Sequence, residues 1–369
     1  MSAIDRGPHT ALNRVCPYFT MFPLRFPYEL LRRYAGAGDR ILDPFCGRGT
    51  TCYAARLLGM DSAGIDSSPV AASIAEAKVI QVTPSEVMAT FDALLEALSV
   101  PRAIPEGEFW QWAFHADVLS ILCRLREGLL HDCTTPARKA LRAILLGALH
   151  GPLHKRTRSY LSNQAPRTFA PKPDYAVRWW KWRGLLPQWV NVREIVRVRA
   201  ERYYGRERSQ PRGMIVHADS RDPASFTELG GGRFSWVITS PPYYGLRTYL
   251  PDQWLRNWLV GGPEGTDYSN RGQIAHRSPQ RFADELRQVW RLVAHQCHPG
   301  ARLVIRFGSI NNRRVDPIAV ITDSLDCAEW KIIAIHGAGY ATAGKRQALH
   351  FGFNPASPCS EYDVWAIRL

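Results

Sequence analysis

The sequence has no CxxC pair, although eight cysteines are spread along its 369 residues. Cysteines paired at short spacing are typical of zinc sites, and dense cysteine sets in short secreted chains are typical of disulfide frameworks. Neither pattern occurs here, so we expect no bound metal and no disulfide scaffold. Scattered thiols suit a reducing compartment, and the sequence therefore predicts a cytoplasmic protein.

Long apolar runs are also missing. Residues 1–14 have no apolar stretch of the signal-peptide kind, and no segment approaches the roughly 20 apolar residues of a membrane span. Internal repeats and low-complexity tracts are absent as well. A hydrophobic content of 46% nevertheless allows a substantial core. These features predict a globular protein that is neither exported nor embedded in a membrane.

Acidic residues are few relative to basic ones: 33 Asp and Glu stand against 47 Lys and Arg, for a formal net charge of +14. Such an excess favours polyanionic partners, above all nucleic acid, although a basic surface also arises for other reasons. Most of the excess lies in residues 154–212, which hold fifteen basic and four acidic residues. Nine aromatic residues are interleaved with them.

Arginines that contact phosphates and aromatics that stack on bases are what a nucleic-acid surface requires. The alternative is a solvated arginine-rich helix packed on a small tryptophan core. The sequence favours the first interpretation, and we expect several of the tryptophans to be core residues in either case. Residues 159–173 look like a loop, and they carry side chains able to read base edges, namely Asn163, Gln164, Arg167 and Thr168.

A strand, a glycine turn, a helix and a second strand follow one another near the N-terminus. Residues 40–43 form a short apolar strand, Gly47 and Gly49 allow a tight turn, and Thr50 opens a helix whose first N–H groups can face a ligand. The second strand, residues 60–66, ends at Asp66. An acid at this position holds the ribose hydroxyls in doubly wound folds. The pattern predicts the mononucleotide-binding half of such an α/β fold.

A second pattern of a strand followed by a turn occurs at residues 235–243. The apolar strand ends in Ser240-Pro241-Pro242-Tyr243, where both prolines fix φ and donate no N–H. A rigid turn with a hydroxyl, free carbonyls and an aromatic ring can accept hydrogen bonds from an exocyclic amine while the ring stacks on the base. The alternative is a Pro-Pro loop followed by a core tyrosine.

Three of these segments resemble motifs of the amino-directed DNA methyltransferases. Residues 43–51 resemble the family's DPFxGxGTT cofactor motif, residues 240–243 resemble its catalytic motif, and residues 22–27 look like its segment that closes over S-adenosylmethionine. Their order resembles the α-type arrangement. The chain departs from the family at Arg48, where a small residue is common.

The resemblance implies S-adenosylmethionine as cofactor and a doubly wound, Rossmann-like class I methyltransferase sheet. Asp219, at the end of a strand predicted at residues 213–220, would serve the adenine amino group of the cofactor. The implied cofactor-binding residues are Phe22, Pro23, Asp43, Pro44, Phe45, Cys46, Gly47, Gly49, Thr50, Thr51, Asp66, Ser67, Asp219 and Ser220.

The resemblance also implies the catalytic roles. Ser240 and the carbonyl of Pro241 would accept the two amine hydrogens and free the nitrogen lone pair for in-line methyl transfer, by positioning and electrostatics. Tyr243 would stack on a base flipped out of double-stranded DNA, and Pro242 would fix the turn. Serine at the first position favours cytosine N4, with adenine N6, an RNA amino group, or a catalytically idle binding module as alternatives. A cognate restriction endonuclease is a further partner to expect.

The predicted domain division follows from these assignments. Residues 1–82 and 213–369 would form the catalytic domain, and residues 83–212 a helical, basic insert serving as the target-recognition region. Within the insert, apolar periodicity predicts helices at 85–98, 117–130 and 136–150. The final strands, at 330–335 and 362–367, would form a terminal hairpin, with a flexible basic turn at 344–347 between them.

Overall fold

The structure is a computed structural model, and it describes residues 10–18, 22–152, 159–206, 213–245, 249–269, 274, 278–308, 315–340 and 360–369. The basic turn predicted at residues 344–347 lies outside these ranges.

Seven strands form one sheet, in the order β3-β2-β1-β4-β5-β7-β6. The strands are β1 Arg40–Asp43, β2 Asp61–Asp66, β3 Gly213–His217, β4 Phe234–Thr239, β5 Cys297–Gly308, β6 Trp330–Tyr340 and β7 Ser360–Arg368.

The described helices are α1 Thr10–Asn13, α2 Arg25–Tyr34, α3 Thr50–Leu57, α4 Pro69–Val79, α5 Pro84–Ala97, α6 Glu108–Ala113, α7 Ala116–His131, α8 Pro136–Ala148, α9 Pro173–Arg183, α10 Val192–Tyr204, α11 Tyr249–Asp252, α12 Trp254–Leu259, α13 Pro279–His295 and α14 Pro317–Ser324. No helix in the described part of the chain combines the length and the apolar character needed to cross a membrane.

The first five strands pair in parallel, and β7 lies antiparallel between β5 and β6. Side chains alternate between the two faces of a strand, so Gly64 of β2 faces away from its neighbours Ala63 and Ile65. A Cβ on Gly64 would meet Cys52 of α3, whereas Ala63 and Ile65 belong to the core that includes Trp290 of α13. Helices therefore cover both faces, which confirms the predicted doubly wound α/β fold and its terminal hairpin.

The chain divides into two compact units. The sheet unit comprises Phe22–Ser68, Arg212–Arg247 and Arg271–Leu369, and the helical unit comprises Met1–Met21, Pro69–Pro211 and Thr248–Asn270. Helix α4, directly after β2, belongs to the helical unit together with α11 and α12. The assignment of catalytic and target-recognition roles to domains stays a prediction.

Aromatic side chains form much of the core of the helical unit. Trp110 lies 4.6 Å from Trp258 and 6.1 Å from Trp254 between ring centroids, and Phe109 lies 5.6 Å from Trp180. The predicted helices of this unit are observed within one or two residues of their expected ends. The side chain of Thr83 caps α5 in a capping box with Glu86, which accounts for the start of that helix.

The amphipathic pattern of residues 28–34 predicts a helix that begins after Pro27. Helix α2 instead begins at Arg25, so Pro27 lies in its first turn. A proline is tolerated there because the N–H groups of a first helical turn have no intrahelical acceptor.

Candidate active site

The parallel strands bring the predicted motifs to one edge of the sheet. Asp43 ends β1, Asp66 ends β2, and Ser240 follows the last residue of β4. Strands β2 and β4 both pair with β1, on opposite sides, so the strand order reverses at β1. In open α/β sheets, ligands bind outside the carboxyl ends of the strands at such a reversal point. The topology therefore places the glycine turn and the Ser-Pro-Pro-Tyr turn where a ligand crevice is expected.

The turn after β1 is built on two left-handed glycines. Gly47 has φ 52° and Gly49 has φ 72°, a region that other residues rarely adopt. The N–H of Gly47 donates to Oδ2 of Asp66 at 2.8 Å, and the N–H of Gly49 donates to the carbonyl of Cys46 at 2.7 Å. A Cβ on Gly47 would meet no atom within 4 Å, so the backbone here borders open space.

Gly64 of β2 lies directly beneath this turn. A Cβ at Gly64 would lie 2.8 Å from Cβ of Cys46 and 3.0 Å from Sγ of Cys52. The turn can approach the sheet this closely only because residue 64 has no side chain. Sequence reasoning assigned no role to Gly64, since a glycine inside an apolar strand gives no indication of what packs on it.

Asp43 is buried, at 1% exposure. Its Oδ1 accepts hydrogen bonds from Oγ1 of Thr239 at 2.7 Å and from the N–H of Phe45 at 3.2 Å. Its Oδ2 is buried without a hydrogen-bond partner among the described residues. Burial raises the pKa of Asp43 to about 7, against the opposing effect of these hydrogen bonds. Oδ2 of Asp43, which has no hydrogen-bond partner among the residues that the structure describes, and the open space at Gly47 both fit a polar, cationic ligand group at this turn.

The two threonines of the turn are buried at the start of α3. Thr51 is 0% exposed, and its Oγ1 donates to the carbonyl of Ile238 at 3.2 Å. Thr239 likewise joins β4 to Asp43 of β1. The hydroxyls of Thr51 and Thr239 thus connect the turn after β1 to β4, the strand that precedes Ser240. The cofactor-binding roles of Thr50 and Thr51 stay predictions.

Asp66 stabilises the glycine turn and the start of the next segment. Besides Gly47, the N–H of Ser68 donates to its carboxylate, at 2.9 Å. Burial raises the pKa of Asp66, and these two backbone hydrogen bonds oppose the rise. The neighbouring Ser67 is exposed. The carboxylate is occupied by backbone donors, and its binding of ribose hydroxyls stays a prediction.

Asp219 is held by an arginine. Nε of Arg221 donates to Oδ1 of Asp219 at 3.0 Å, and Arg221 also pairs with Glu285. Burial alone would raise the pKa of Asp219, but the hydrogen bonds from Arg221 lower it overall. The hydroxyl of Ser220 donates to the carbonyl of Pro44 and so connects the end of β3 to the glycine turn.

A cavity of about 660 Å³ lies beside this pair. Its lining consists of charged and polar side chains, namely Asp219, Arg221, Asp222, Arg281, Asp284, Glu285 and Gln288. The glycine turn and the Ser-Pro-Pro-Tyr turn contribute no residue to that lining. The cavity is therefore a surface feature next to Asp219 and does not coincide with the candidate crevice.

The Ser-Pro-Pro-Tyr turn is anchored at its tyrosine. The hydroxyl of Tyr243 donates to Oε1 of Glu361 at 2.7 Å, and its ring packs edge-on against Phe307 with centroids 5.3 Å apart. Gly308 permits this packing, because a Cβ there would lie 3.1 Å from the tyrosine ring. Ser240 is half-buried at the head of the turn. Phe307 of β5 and Glu361 of β7 therefore fix the orientation of the tyrosine ring, which was predicted to stack on a base.

Residues 22–27, which we call the ledge, include Phe22 and Pro23, and both of these are at least partly exposed. The ring of Phe22 packs edge-on against Phe26, with centroids 5.3 Å apart. Arg306 of β5 stacks on Phe26 at 3.6 Å from the ring centroid and pairs with Asp363 of β7. These contacts hold the ledge near the carboxyl end of β5, and its closure over a cofactor stays a prediction.

The side chains expected to read bases in residues 159–173 are mostly structural, so that expectation was wrong for three of them. Asn163, Gln164 and Thr168 are 2%, 1% and 6% exposed. The Asn163 amide donates to the carbonyls of Trp112 and Leu185, which fixes the loop on its own unit. A polar loop composition is shared by surface loops and by loops whose side chains satisfy buried carbonyls, so it could not distinguish the two.

A buried arginine also holds this loop in place through hydrogen bonds. Arg256 of α12 is 0% exposed, and its guanidinium donates to the carbonyls of Leu146 and Arg167 at 3.2 and 2.6 Å. It also donates to Oε1 of Gln253 at 2.8 Å. Backbone carbonyls therefore solvate this cation in the interior of the helical unit.

The basic segment is also less free for phosphates than its composition suggests. Arg193 pairs with Asp92, Arg197 pairs with Glu194, and Lys181 pairs with Glu108. Arg199 donates to the carbonyl of Ser159 and stacks on Tyr160. Within the described part of the chain, three of the fifteen basic residues are thus paired with acids, and two of those acids, Asp92 and Glu108, lie outside residues 154–212.

Comparison with known proteins addresses the first of the motifs. Residues 4–77 match the N6/N4 methyltransferase family model, described as DNA methylase. The match supports an amino-methyltransferase. It contains the glycine turn and Asp66 but ends before Ser240, so it bears on the cofactor half of the site alone.

A curated relative shows the same partial coverage. The chain is similar to the Type II methyltransferase M.MjaII of Methanocaldococcus jannaschii, with 37% identity over 79 residues. That stretch is 21% of this chain and 14% of the relative. The activity, substrate and partners of the whole protein are therefore proposals.

Solved structures with a similar arrangement are remote. One is the rRNA methyltransferase AviRa from Streptomyces viridochromogenes, with a TM-score of 0.37 and 16% identity, covering 100% of this chain and 95% of that chain. Another is TrmN from Thermus thermophilus, with a TM-score of 0.36 and 11% identity, covering 98% of this chain and 52% of that chain. Scores this low carry no argument about substrate.

Proposed function

We propose that the protein transfers a methyl group from S-adenosylmethionine to the exocyclic N4 amine of cytosine in DNA. The observation that carries the proposal is the adjacency of β1 and β4 at the reversal point of the sheet, which brings the glycine turn and Ser240 to one edge. The match of residues 4–77 to an N6/N4 DNA methylase model supports the same reaction class.

S-adenosylmethionine, when bound, supplies an electrophilic methyl group on a sulfonium. Among the chain's own residues, Asp43 offers a buried carboxylate oxygen for a cationic group of the cofactor, and the Gly47 turn offers close backbone approach. Asp66, Ser67, Asp219 and Ser220 complete the proposed binding set at the ends of β2 and β3.

The acceptor amine is a weak nucleophile because its lone pair is delocalised into the base. Ser240 Oγ and the carbonyl of Pro241 accept its two hydrogens and draw the nitrogen toward tetrahedral geometry. Tyr243 stacks on the base, and Pro242 fixes the turn. The amine nitrogen forms its new bond to the methyl carbon as the methyl–sulfur bond breaks, and the methylated amine then releases one proton to solvent. The rate enhancement comes from positioning and electrostatics, with no covalent enzyme intermediate.

The choice of cytosine N4 over adenine N6 rests on Ser240, since aspartate or asparagine is usual at this position in the adenine enzymes that the motif resembles. Cytosine and adenine amines present the same pair of hydrogens, so the residue biases the choice without excluding adenine. The further proposed partners are double-stranded DNA with a flipped target base and a cognate restriction endonuclease.

The test is mass spectrometry of nucleosides from mixed-sequence DNA, incubated with the protein and S-adenosylmethionine carrying a labelled methyl group. We expect labelled N4-methylcytosine. Labelled N6-methyladenine would overturn the assigned base and keep the reaction class. Cofactor binding without label in DNA would overturn the DNA substrate, and folded RNA would then be tested in the same assay.

Ser240→Ala is the matched variant for this test. We expect turnover to fall roughly 100-fold or more, the loss typical of removing one preorganised hydrogen-bonding group, with little change in cofactor affinity. Ser235→Ala, on the same strand, serves as the control and should keep its activity. Unchanged turnover in Ser240→Ala would remove that hydroxyl from the mechanism.

A further inference from the structure

Helix α9 exposes aromatic side chains on the face turned away from its core. Tyr175, Trp179 and Trp182 are 58%, 42% and 70% exposed, and with Arg183 they follow the i, i+4, i+7, i+8 spacing of one helix side. We call these four residues the tryptophan face. Large aromatics seldom remain exposed in groups on a monomer, and such groups mark interaction sites.

The fold of the helical unit does not account for this face. The inward side of α9 contributes Val177 and Trp180, which are 6% and 3% exposed, and Trp180 packs against Phe109. That contact anchors the helix without help from Trp179 or Trp182. The two outward indoles contact each other instead, with ring centroids 5.2 Å apart.

Arg183 gives the face its charge. Its guanidinium lies 5.0 Å from the ring centroid of Trp179 and 4.5 Å from that of Trp182. Among the described residues no carboxylate forms a salt bridge with Arg183, in contrast to the paired Arg193 and Arg197 of α10. Stacking uses the flat side of a guanidinium and leaves its in-plane N–H donors for phosphate oxygens.

The surroundings of the face are also basic. Lys172, Arg178 and Lys181 lie on or next to α9, and Asp174 in the first turn is the one acid of the helix. Lysine and arginine in a last turn also favour the helix dipole, which explains Lys181 and Arg183 in part but leaves the exposed indoles unexplained. Lys181 is paired with Glu108, so the charge left for a ligand on this side of the helix is chiefly that of Arg183 and Arg178. Exposed aromatic rings beside Arg183 suit a polyanion with flat bases better than an acidic or apolar protein surface.

From these contacts we propose that the tryptophan face binds DNA, with Trp182 and Trp179 stacking on bases that are unpaired or opened and Arg183 contacting a phosphate. This inference deepens the proposed function, on which it rests, by naming the surface that holds the substrate while a target base is out of the duplex. It assigns the DNA contact to one side of α9, whereas the sequence pattern pointed to residues 154–212 as a whole.

The test measures binding of the full chain to a fluorescently labelled duplex with one central unpaired cytosine and to the fully paired duplex. We expect Trp182→Ala to weaken binding to the duplex with the unpaired cytosine about 5-fold to 150-fold, the range for stacking one base on one aromatic side chain. Trp182→Phe should retain most of the affinity. Arg183→Ala should weaken binding to both duplexes alike.

Two surface variants of α10 are the controls. Val198→Ala removes an exposed apolar side chain, and Arg197→Ala removes an exposed arginine that is paired with Glu194. Both should bind within about twofold of the parent. Thermal unfolding of every variant should match the parent, because none of the substituted side chains is buried.

The outcomes separate this inference from the proposed function. Affinity of Trp179→Ala/Trp182→Ala within twofold of the parent would overturn the inference, even if the parent methylates DNA. Binding that depends on the tryptophans, in a parent that transfers no methyl group, would uphold the inference and overturn the proposed function. Tryptophan-dependent binding of RNA by a parent that does not bind DNA would overturn the choice of DNA.

Discussion

Asp43 is the residue on which the proposed cofactor site depends most directly. Its carboxylate is buried, one oxygen has no hydrogen-bond partner among the described residues, and burial raises its pKa to about 7. Because the folded pKa lies above that of an unfolded aspartate, this group favours the folded state at low pH. Its contribution to the free energy of unfolding declines as pH rises from about 4 to about 7.

Cofactor affinity should show the opposite pH dependence. A cationic cofactor group binds the ionised carboxylate, so with a pKa of about 7 the affinity should rise roughly 20-fold from about pH 5.5 to about pH 7.5. Calorimetric titration across this range is the measurement. Asp43→Asn should bind weakly with a flat profile, and Asp61→Asn, an exposed acid at the start of β2, should follow the parent. A flat profile in the parent would contradict this role.

The hydrogen bond between Tyr243 and Glu361 is a second determinant at the residue scale. It joins two side chains that are 118 residues apart in the chain. Tyr243→Phe keeps the ring and loses the bond, so kcat should fall about 3-fold to 10-fold, in line with roughly 1 kcal/mol for one hydrogen bond. Tyr243→Ala also loses the ring, and its loss should be much larger.

Glu361→Ala should then mimic Tyr243→Phe, and the double variant should be no worse than either single one. Glu361→Gln keeps an acceptor oxygen and should stay near the parent. The readouts are kcat and KM for DNA, measured separately, since a positioning role should appear mainly in kcat. Additive losses in the double variant would show that the two residues act independently.

At the scale of elements, the approach of the glycine turn to β2 depends on Gly64. Gly64→Ala places a Cβ 2.8 Å from Cβ of Cys46, which must shift together with its turn. We expect a loss of about 1–3 kcal/mol in the free energy of unfolding and weaker cofactor binding.

Chemical denaturation and calorimetric titration measure these two quantities. Gly337→Ala is the matched control, because a Cβ on this β6 glycine would meet no atom within 4 Å. Stability and cofactor affinity that are both unchanged in Gly64→Ala would mean that the turn can relax without cost.

Local patterns predicted most elements. The apolar run of β1, the glycines after it and the threonines of α3 reproduce the expected strand, turn and helix, because strand periodicity and left-handed glycine conformations are properties of neighbouring residues. Helix α2 was misplaced at its start, since Pro27 indicates a break in sequence but is compatible with a first turn.

At the scale of the whole molecule, a net charge of +14 predicts that nucleic-acid binding weakens with salt. About four phosphate contacts would lower the affinity roughly 100-fold between about 0.05 and 0.2 M salt. The slope of log affinity against log salt, measured by fluorescence anisotropy, should become shallower by about 0.9 in Arg183→Ala. Arg197→Ala should leave it unchanged. A shallower slope in Arg197→Ala, with an unchanged slope in Arg183→Ala, would show that the ion-paired arginine contacts DNA.

The order of the motifs along the chain was enough to determine the α/β class and to single out Asp43, Asp66 and Ser240, because strands, turns and prolines act over a few neighbouring residues. The tertiary structure alone decided which polar and aromatic side chains are exposed enough to bind a ligand. Asn163 and Gln164 are buried, whereas Trp182 is exposed. Composition does not distinguish a buried polar side chain from an exposed one. Glu361 meets Tyr243 only because β7 pairs with β5 in a register that sets Glu361 opposite Gly308, and that register is a property of the assembled sheet.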